Sequence, residues 1–449
     1  MQSQSGQQHA VVLGAGMAGL LAARVLADRY GLVTVIERDI LPPSAGHRRG
    51  VSQGRHGHSL LARGIEVLEE LFPGFSDEMT ARGGLRADLQ GQTRWYNEGL
   101  LLRQAPIGLD ALLGSRPLLE SLVRDRLRAM DNIRFTDGCE AVGLIAGQDG
   151  ERVTGLRVVS GEPGSEERSV SADLVVDATG RGARGPVWLA ELGYPVPERD
   201  SVRIGLRYAT RHFRRRPEDV DGDLGVIVAV TDDIRRGGVM LAQENDRWLV
   251  TVHGYLDEEP PLDLEGFRDF AARLAVPDIH EVIRDAEPIG EAVAFRFPAG
   301  TRHHYERLER FPEGYLVVGD AMCSFNPVYA QGMTVAALEA VLLRDCLRDG
   351  TAKLAPRFFE QAARISDALW DVVVGGDLRY PEVEGPRTEQ LEQVHAFMAQ
   401  VHAAASRDPE VGRVVVRLIS LLEGPEALMD PAFVQRVMAA APTDSPAGR

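Results

Sequence analysis

The stretch His9-Ala-Val-Val-Leu-Gly14-Ala-Gly16-Met-Ala-Gly19 decides the fold. Its first five residues form a compact apolar run that reads as a buried strand, and apolar residues then recur at helical spacing from Met17 to Asp28. Gly31 closes that helix, and Leu32 to Glu37 is a second short β-branched run, so the chain spells strand, helix, strand. Such a unit implies a parallel sheet. Each glycine has a mechanical reason. The first permits a tight turn, the second lets backbone approach a pyrophosphate, and the third lets helix pack on strand. The helix N-terminus favours negative charge, and an acid at the end of the next strand, Glu37, would accept hydrogen bonds from a ribose.

Outward from this unit, Leu41 to Gly57 reads as a long loop rich in Pro, Gly, Arg and His, followed by an amphipathic stretch from Ser59 to Leu71. Arg116 to Met130 reads as a helix; Asn132 to Ile145, Val153 to Val159 and Ala172 to Asp177 read as strands. From Ser201 the pattern becomes strict alternation, with Val202, Ile204, Leu206 and Tyr208 on one face and Arg203 and Arg207 on the other, as in a half-exposed antiparallel strand. Further alternating runs follow at Leu224 to Val230, Gly238 to Gln243, Arg247 to His253 and Glu291 to Phe297, with Asn245-Asp246 as a hairpin turn. Tyr315 to Gly319 is a buried strand, and from Thr334 the chain reads as helical. The expected division is a dinucleotide-binding part at 9–189 and 301–350, a sheet-based substrate part at 190–300 and a helical region at 351–441, with disordered tails at 1–8 and 442–449. The last helices could cover the core or make a dimer face.

Composition excludes several functions. The chain has 449 residues, with 50 basic against 66 acidic side chains and a formal charge of -16, so a nucleic-acid partner is not expected. Lys353 is the single lysine, which removes most mechanisms needing a titratable amine. Cys139, Cys323 and Cys346 have no paired spacing, which suggests a reducing cytoplasm and neither disulfides nor a thiolate metal site. No secretory pattern and no apolar run of membrane-spanning length stands out, so no membrane association is expected. His56-Gly-His58 lacks a local carboxylate and has Arg55 beside it, which points to loop packing and not to a metal; no metal site is expected. His303-His304 reads as a surface pair.

A second motif narrows the cofactor. Tyr315-Leu-Val-Val-Gly319-Asp320-Ala321, then Asn326-Pro327 and Gln331-Gly332-Met333, joins a buried strand to a long helix. Such a turn could set Asp320 against ribityl hydroxyls, and the positive end of the following helix would favour the charge of a reduced isoalloxazine. The spacing alone also suits an ordinary strand-to-helix connection with a capping aspartate.

With Arg116 opening a helix and Asp177-Ala-Thr-Gly180-Arg181-Gly182, these ordered motifs resemble those of FAD-dependent single-component aromatic hydroxylases and their epoxidase relatives. Arg49-Gly50-Val51-Ser-Gln53 to His58, Tyr208-Ala-Thr-Arg211, Arg247-Trp-Leu-Val-Thr251, Tyr305-Glu-Arg307-Leu308 and Asn326-Pro327-Val-Tyr329 extend the similarity toward bacterial polyketide-pathway flavoprotein epoxidases and related FAD-dependent cyclases. The resemblance covers almost the whole chain. It implies an α/β fold: a Rossmann-type FAD-binding domain with an inserted antiparallel-sheet substrate domain and C-terminal helices. It implies that Gly14, Gly16, Gly19 and Glu37 hold the AMP half of FAD, that Arg116 lies near the pyrophosphate and ribityl region, and that Arg38 and Arg49 also bind the cofactor. Asp320 would contact the ribityl chain, Asp177 and Gly319 would also belong to the cofactor site, and Pro327, Gly332 and Met333 would edge the isoalloxazine. One departure concerns the electron donor: the hydroxylases begin the middle motif Asp-Gly, whereas Ala178 follows Asp177 here. NAD(P)H could dock transiently, or a flavin reductase could be a partner.

The implied activity is a monooxygenase that delivers oxygen from the flavin C4a position to epoxidise or hydroxylate a bulky apolar polyene or polyketide-like metabolite. An alkene needs no base to accept oxygen, so no catalytic side chain is named. The alternative is an FAD-requiring, redox-neutral [4+2] cyclase acting on a polyene, since fold and cofactor do not determine the reaction.

Overall fold

The computed structural model describes residues 8–162 and 164–440. The tails expected at 1–8 and 442–449 lie, apart from Gln8, outside the described residues.

The opening unit forms as its pattern dictates: strand His9–Leu13, helix Met17–Leu26 and strand Leu32–Ile36. They belong to a five-stranded sheet in the order Tyr315–Val317, Leu174–Asp177, His9–Leu13, Leu32–Ile36, Ile133–Thr136. Every pairing in it is parallel. Ala10, Val11 and Val12 are wholly buried, as expected of a strand covered on both faces. Helix Met17–Leu26 packs against Gly332–Arg348 and Arg116–Arg128. Ser115 caps the latter helix by accepting from Leu118 N, and Pro117 sits in its first turn, where a missing N–H costs nothing.

The second large sheet has eight strands, in the order Cys323–Ser324, Pro288–His303, Arg199–Arg214, Arg247–Gly254, Arg236–Gln243, Gly225–Val228, Thr93–Asn97, Leu100–Leu101. It is antiparallel except where Gly225–Val228 runs parallel to Thr93–Asn97. The sheet therefore draws strands from outside 190–300, and its parallel pair departs from the all-antiparallel expectation. Thr93-Arg-Trp-Tyr-Asn is too short and too polar to announce itself, and its partner lies more than a hundred residues on in sequence. Asn245 and Asp246 both have positive φ, 66° and 48°, the conformation of a tight two-residue hairpin turn.

Alternation along Arg199–Arg214 sorts its side chains. Ala209 and Phe213 join a core with Phe267, Phe270, Ile279 and Ile283 from two covering helices. Ile204, Leu206 and Tyr208 face the other way and pack with Leu378, Tyr380 and Val383. The C-terminal helices Glu389–Ala405, Pro409–Ile419 and Pro431–Ala440 cover the core: Val401, Val411, Val415 and Val437 pack against Leu61, Leu113 and Leu241. His304, expected at the surface, is instead buried, its two ring nitrogens 2.8 Å from Asp200 and Glu306. Two flanking carboxylates compensate an imidazole removed from water, and that pairing is invisible locally. Among the described residues no helix is long and apolar enough to cross a membrane.

Candidate functional site

The glycine-rich turn opens on a long cleft. Gly14 has φ +95°, and a Cβ there would stand 2.6 Å from the Ala178 carbonyl oxygen. A Cβ on Gly19 would collide with the Gly14 carbonyl oxygen, so this glycine sets how closely helix and strand approach. Gly16 and Gly332 have nothing within 4 Å of a built Cβ and both line the cleft. Each stands at the start of a helix, so two clusters of unpaired N–H groups open on the same space.

Of the residues singled out in the sequence, Gly14, Gly16, Glu37, Arg38, Arg116, Gly319, Asp320, Pro327, Gly332 and Met333 line this cleft together. Three do not. Gly19 lies behind it as helix packing. Arg49 is exposed; its neighbour Arg48 turns inward instead. Asp177 is wholly buried and accepts hydrogen bonds from Thr179 N at 3.0 Å, Thr179 Oγ1 at 2.6 Å and Tyr315 OH at 3.0 Å, so it shapes the turn after its strand. Burial pushes its carboxyl up, against those donors.

Charges in the cleft interlock. Arg48 lies 2.9 Å from Glu37 and 3.2 Å from Glu120, and it donates to the Ala15 carbonyl at 2.6 Å. Arg116 meets Glu120 at 2.8 Å. Glu37 also accepts from Ala15 N at 2.7 Å and Asp39 N at 3.0 Å. The result is a buried set of two guanidiniums and two carboxylates, with a third carboxylate, the partly exposed Asp39, 3.8 Å from Arg48 at its edge. Burial alone would raise the Glu120 carboxyl, but Arg116 and Arg48 outweigh it and hold it below its ordinary range. Asp320 is shifted up by burial, with Arg181 and Arg116 opposing. Sequence reasoning missed Arg48 and Glu120. Glu120 stands four residues after Arg116 on one helix face, a spacing that could have flagged it.

Beyond the cleft lies a cavity of about 2270 Å³ between the eight-stranded sheet and the C-terminal helices. Gly57, His58, Ser59, Tyr208, Pro327 and Ala330 line both spaces, so the two share a wall. His56 Nδ1 pairs with Thr210 Oγ1 at 2.7 Å, and its ring lies 5.2 Å from that of Phe295 and 5.6 Å from that of Tyr208. Burial first, then His58 and Arg55, pushes His56 down to about 3, and burial with Arg116 pushes His58 down to about 4. Both rings are therefore neutral near pH 7. Among the described residues no three His, Cys, Asp or Glu side chains group as metal ligands would.

A turn without side chains at its tightest point, open positions at two helix starts, and a carboxylate next to arginines are features that suit the phosphates and ribose of a dinucleotide. A family model described as "FAD binding domain" matches residues 7–349. The chain is 35% identical over 432 residues to Protein Rv3254 of Mycobacterium tuberculosis, covering 93% of this chain and 90% of that protein. It is 28% identical over 437 residues to kynurenine 3-monooxygenase of Salinispora tropica, covering 89% of this chain and 84% of that enzyme. Among solved structures, the flavin-dependent brominase Bmp2 shares the fold with a TM-score of 0.68 at 16% identity, covering 96% of this chain and 98% of that one.

Proposed function

Because the chain belongs to the FAD-binding, aromatic-hydroxylase-like family of flavoprotein monooxygenases, with FAD as its cofactor, we propose that it transfers one oxygen atom to a bulky, largely apolar, polyketide-like or polyene metabolite by hydroxylation or epoxidation. The observation that carries this reading is the wall shared by the cleft and the large cavity. It lets a flavin edge and a substrate meet at Pro327 and Tyr208 while each keeps its own binding space.

In this proposal the Gly14 turn and the N-terminus of Met17–Leu26 receive the pyrophosphate, and a ribose hydroxyl shares Glu37 with Arg48. Asp320 faces the ribityl chain, and the N-terminus of Gly332–Arg348 faces the isoalloxazine. When bound and reduced, FAD supplies the activation of dioxygen for transfer of one oxygen atom, the other leaving as water. Two electrons come from NAD(P)H, docking directly or through a flavin reductase. The chain's own part is positioning and exclusion of water: Tyr208 and Phe295 wall the contact region with rings, and the neutral His56 adds no charge there.

The test uses the FAD-loaded protein, reduced without oxygen, then mixed with isotopically labelled dioxygen and a panel of aromatic polyketides and polyenes. One labelled atom in a product supports the proposal. A product of unchanged mass, formed equally well without reduction, would replace it with the redox-neutral cyclase.

A further inference from the structure

The large cavity is mostly apolar, yet one buried carboxylate opens into it. Asp377 ends the helix Leu354–Asp377, lines the cavity and is 4% exposed. The other carboxylates on that wall, among them Asp371, Glu384 and Asp430, are exposed, or are paired, as Glu98 is with Arg379. Among the described residues, the only side chain that hydrogen-bonds Asp377 is Asn326, whose Nδ2 donates to Oδ1 at 2.9 Å and also to Tyr255 OH at 3.2 Å. Among the described residues no guanidinium or imidazole pairs with it. The nearby Arg379 is engaged by Glu98 and Asp232.

A carboxyl held by one neutral amide is costly to bury, and burial pushes it up to about 7, with the Asn326 bond opposing. Tyr208, Tyr255 and Tyr329 stand around it. Burial raises each phenol, and the neighbouring Asp377 raises each further. Their rings line this part of the cavity wall, with the phenol hydroxyl of Tyr255 already engaged by Asn326. Oδ2 has no protein partner among the described residues and is not sealed from the cavity. Asn326 also starts the short turn Pro327–Tyr329, accepting from Val328 N at 3.2 Å, so the acid stands directly behind the wall shared with the FAD cleft.

We propose that Asp377 is the specificity anchor of the large cavity, its Oδ2 accepting a hydrogen bond from a hydroxyl group on the substrate, so that the preferred substrate carries an alcohol, enol or phenol on its apolar frame. This rests on reading the cavity as the substrate site. A bare hydrocarbon would leave the acid unsatisfied, whereas a hydroxyl donor satisfies it and orients the frame against Pro327.

The experiment compares 1-hydroxypyrene with pyrene, followed by their fluorescence, on the FAD-loaded protein and its Asp377→Leu and Asp377→Asn variants. Wild type should bind 1-hydroxypyrene about 10- to 100-fold more tightly than pyrene, because pyrene leaves the buried acceptor without a donor. Asp377→Leu should abolish that preference while leaving pyrene affinity in place, and Asp377→Asn, which keeps an acceptor, should retain part of it. A residue serving only to brace the turn would lower both affinities together, and that result overturns the proposal. Equal affinities in wild type, or a preference that survives in Asp377→Leu, overturn it as well. Should Asp377→Leu fail to fold, the Asn variant decides: a reduced preference supports the anchor and full retention refutes it. Binding of neither probe overturns the cavity reading itself, which the labelled-dioxygen experiment tests separately.

Discussion

Replacing Glu120 by alanine perturbs the charge network beneath the cleft at its centre. Glu120 is 4% exposed and accepts from both Arg48 and Arg116. Its loss leaves Arg116 with no carboxylate partner among the described residues, whereas Arg48 keeps Glu37 at 2.9 Å. Breaking a buried pair by removing one member costs about 3–5 kcal/mol, because a charge stays buried without compensation. Since one of the two guanidiniums retains its partner, the lower end, about 3 kcal/mol, is expected at pH 7. Urea unfolding of variant and wild type, followed by fluorescence and circular dichroism, measures the difference. The pH dependence adds a second check. Glu120 is held below its ordinary 4.5, so its contribution is fully present above that pH and is lost as pH falls through the depressed folded value. The gap between variant and wild type should therefore be constant above about pH 5 and should close in acid. A loss under about 1 kcal/mol at pH 7, or a gap that persists unchanged in acid, would refute the view that this network is held by its central carboxylate.

Three other variants test the same structure. Gly19→Val should yield no soluble folded protein, since its Cβ would collide with the Gly14 carbonyl, whereas Gly16→Val, with open space at its Cβ, should fold by circular dichroism yet retain little FAD by flavin absorbance. Asp377, raised to about 7, binds its proton more tightly folded than unfolded, so it costs stability as pH rises from about 4 to about 7. Asp377→Asn should therefore gain on wild type across that range, by at most about 4 kcal/mol above it, and titration of thermal midpoints against pH reads the trend.

Local pattern carries as far as contacts are local. Strand, glycine turn, helix and strand between His9 and Glu37 were legible because each rests on neighbours within a few residues: apolar periodicity, a positive φ at Gly14, a helix that must approach its own strand at Gly19. The hairpin at Asn245-Asp246 and the alternating faces of Arg199–Arg214 were legible for the same reason. Tertiary structure decided what depends on separate segments meeting. Nothing local distinguishes Arg48 from Arg49; which one turns inward follows from where Glu37 and Glu120 stand, 11 and 72 residues away. Thr93–Asn97 becomes a strand only beside Gly225–Val228, and His304 is buried only because Asp200 and Glu306 flank it. Asp377 reaches Asn326 across 51 residues, at the end of a helix that would otherwise read as a simple amphipathic cover. The sequence by itself determined the parallel sheet and the glycine turn, because backbone sterics and periodicity act at short range. The folded chain alone decided which charges are buried together and how two cavities share a wall, because desolvation and pairing energies exist only between groups that the fold has brought into contact.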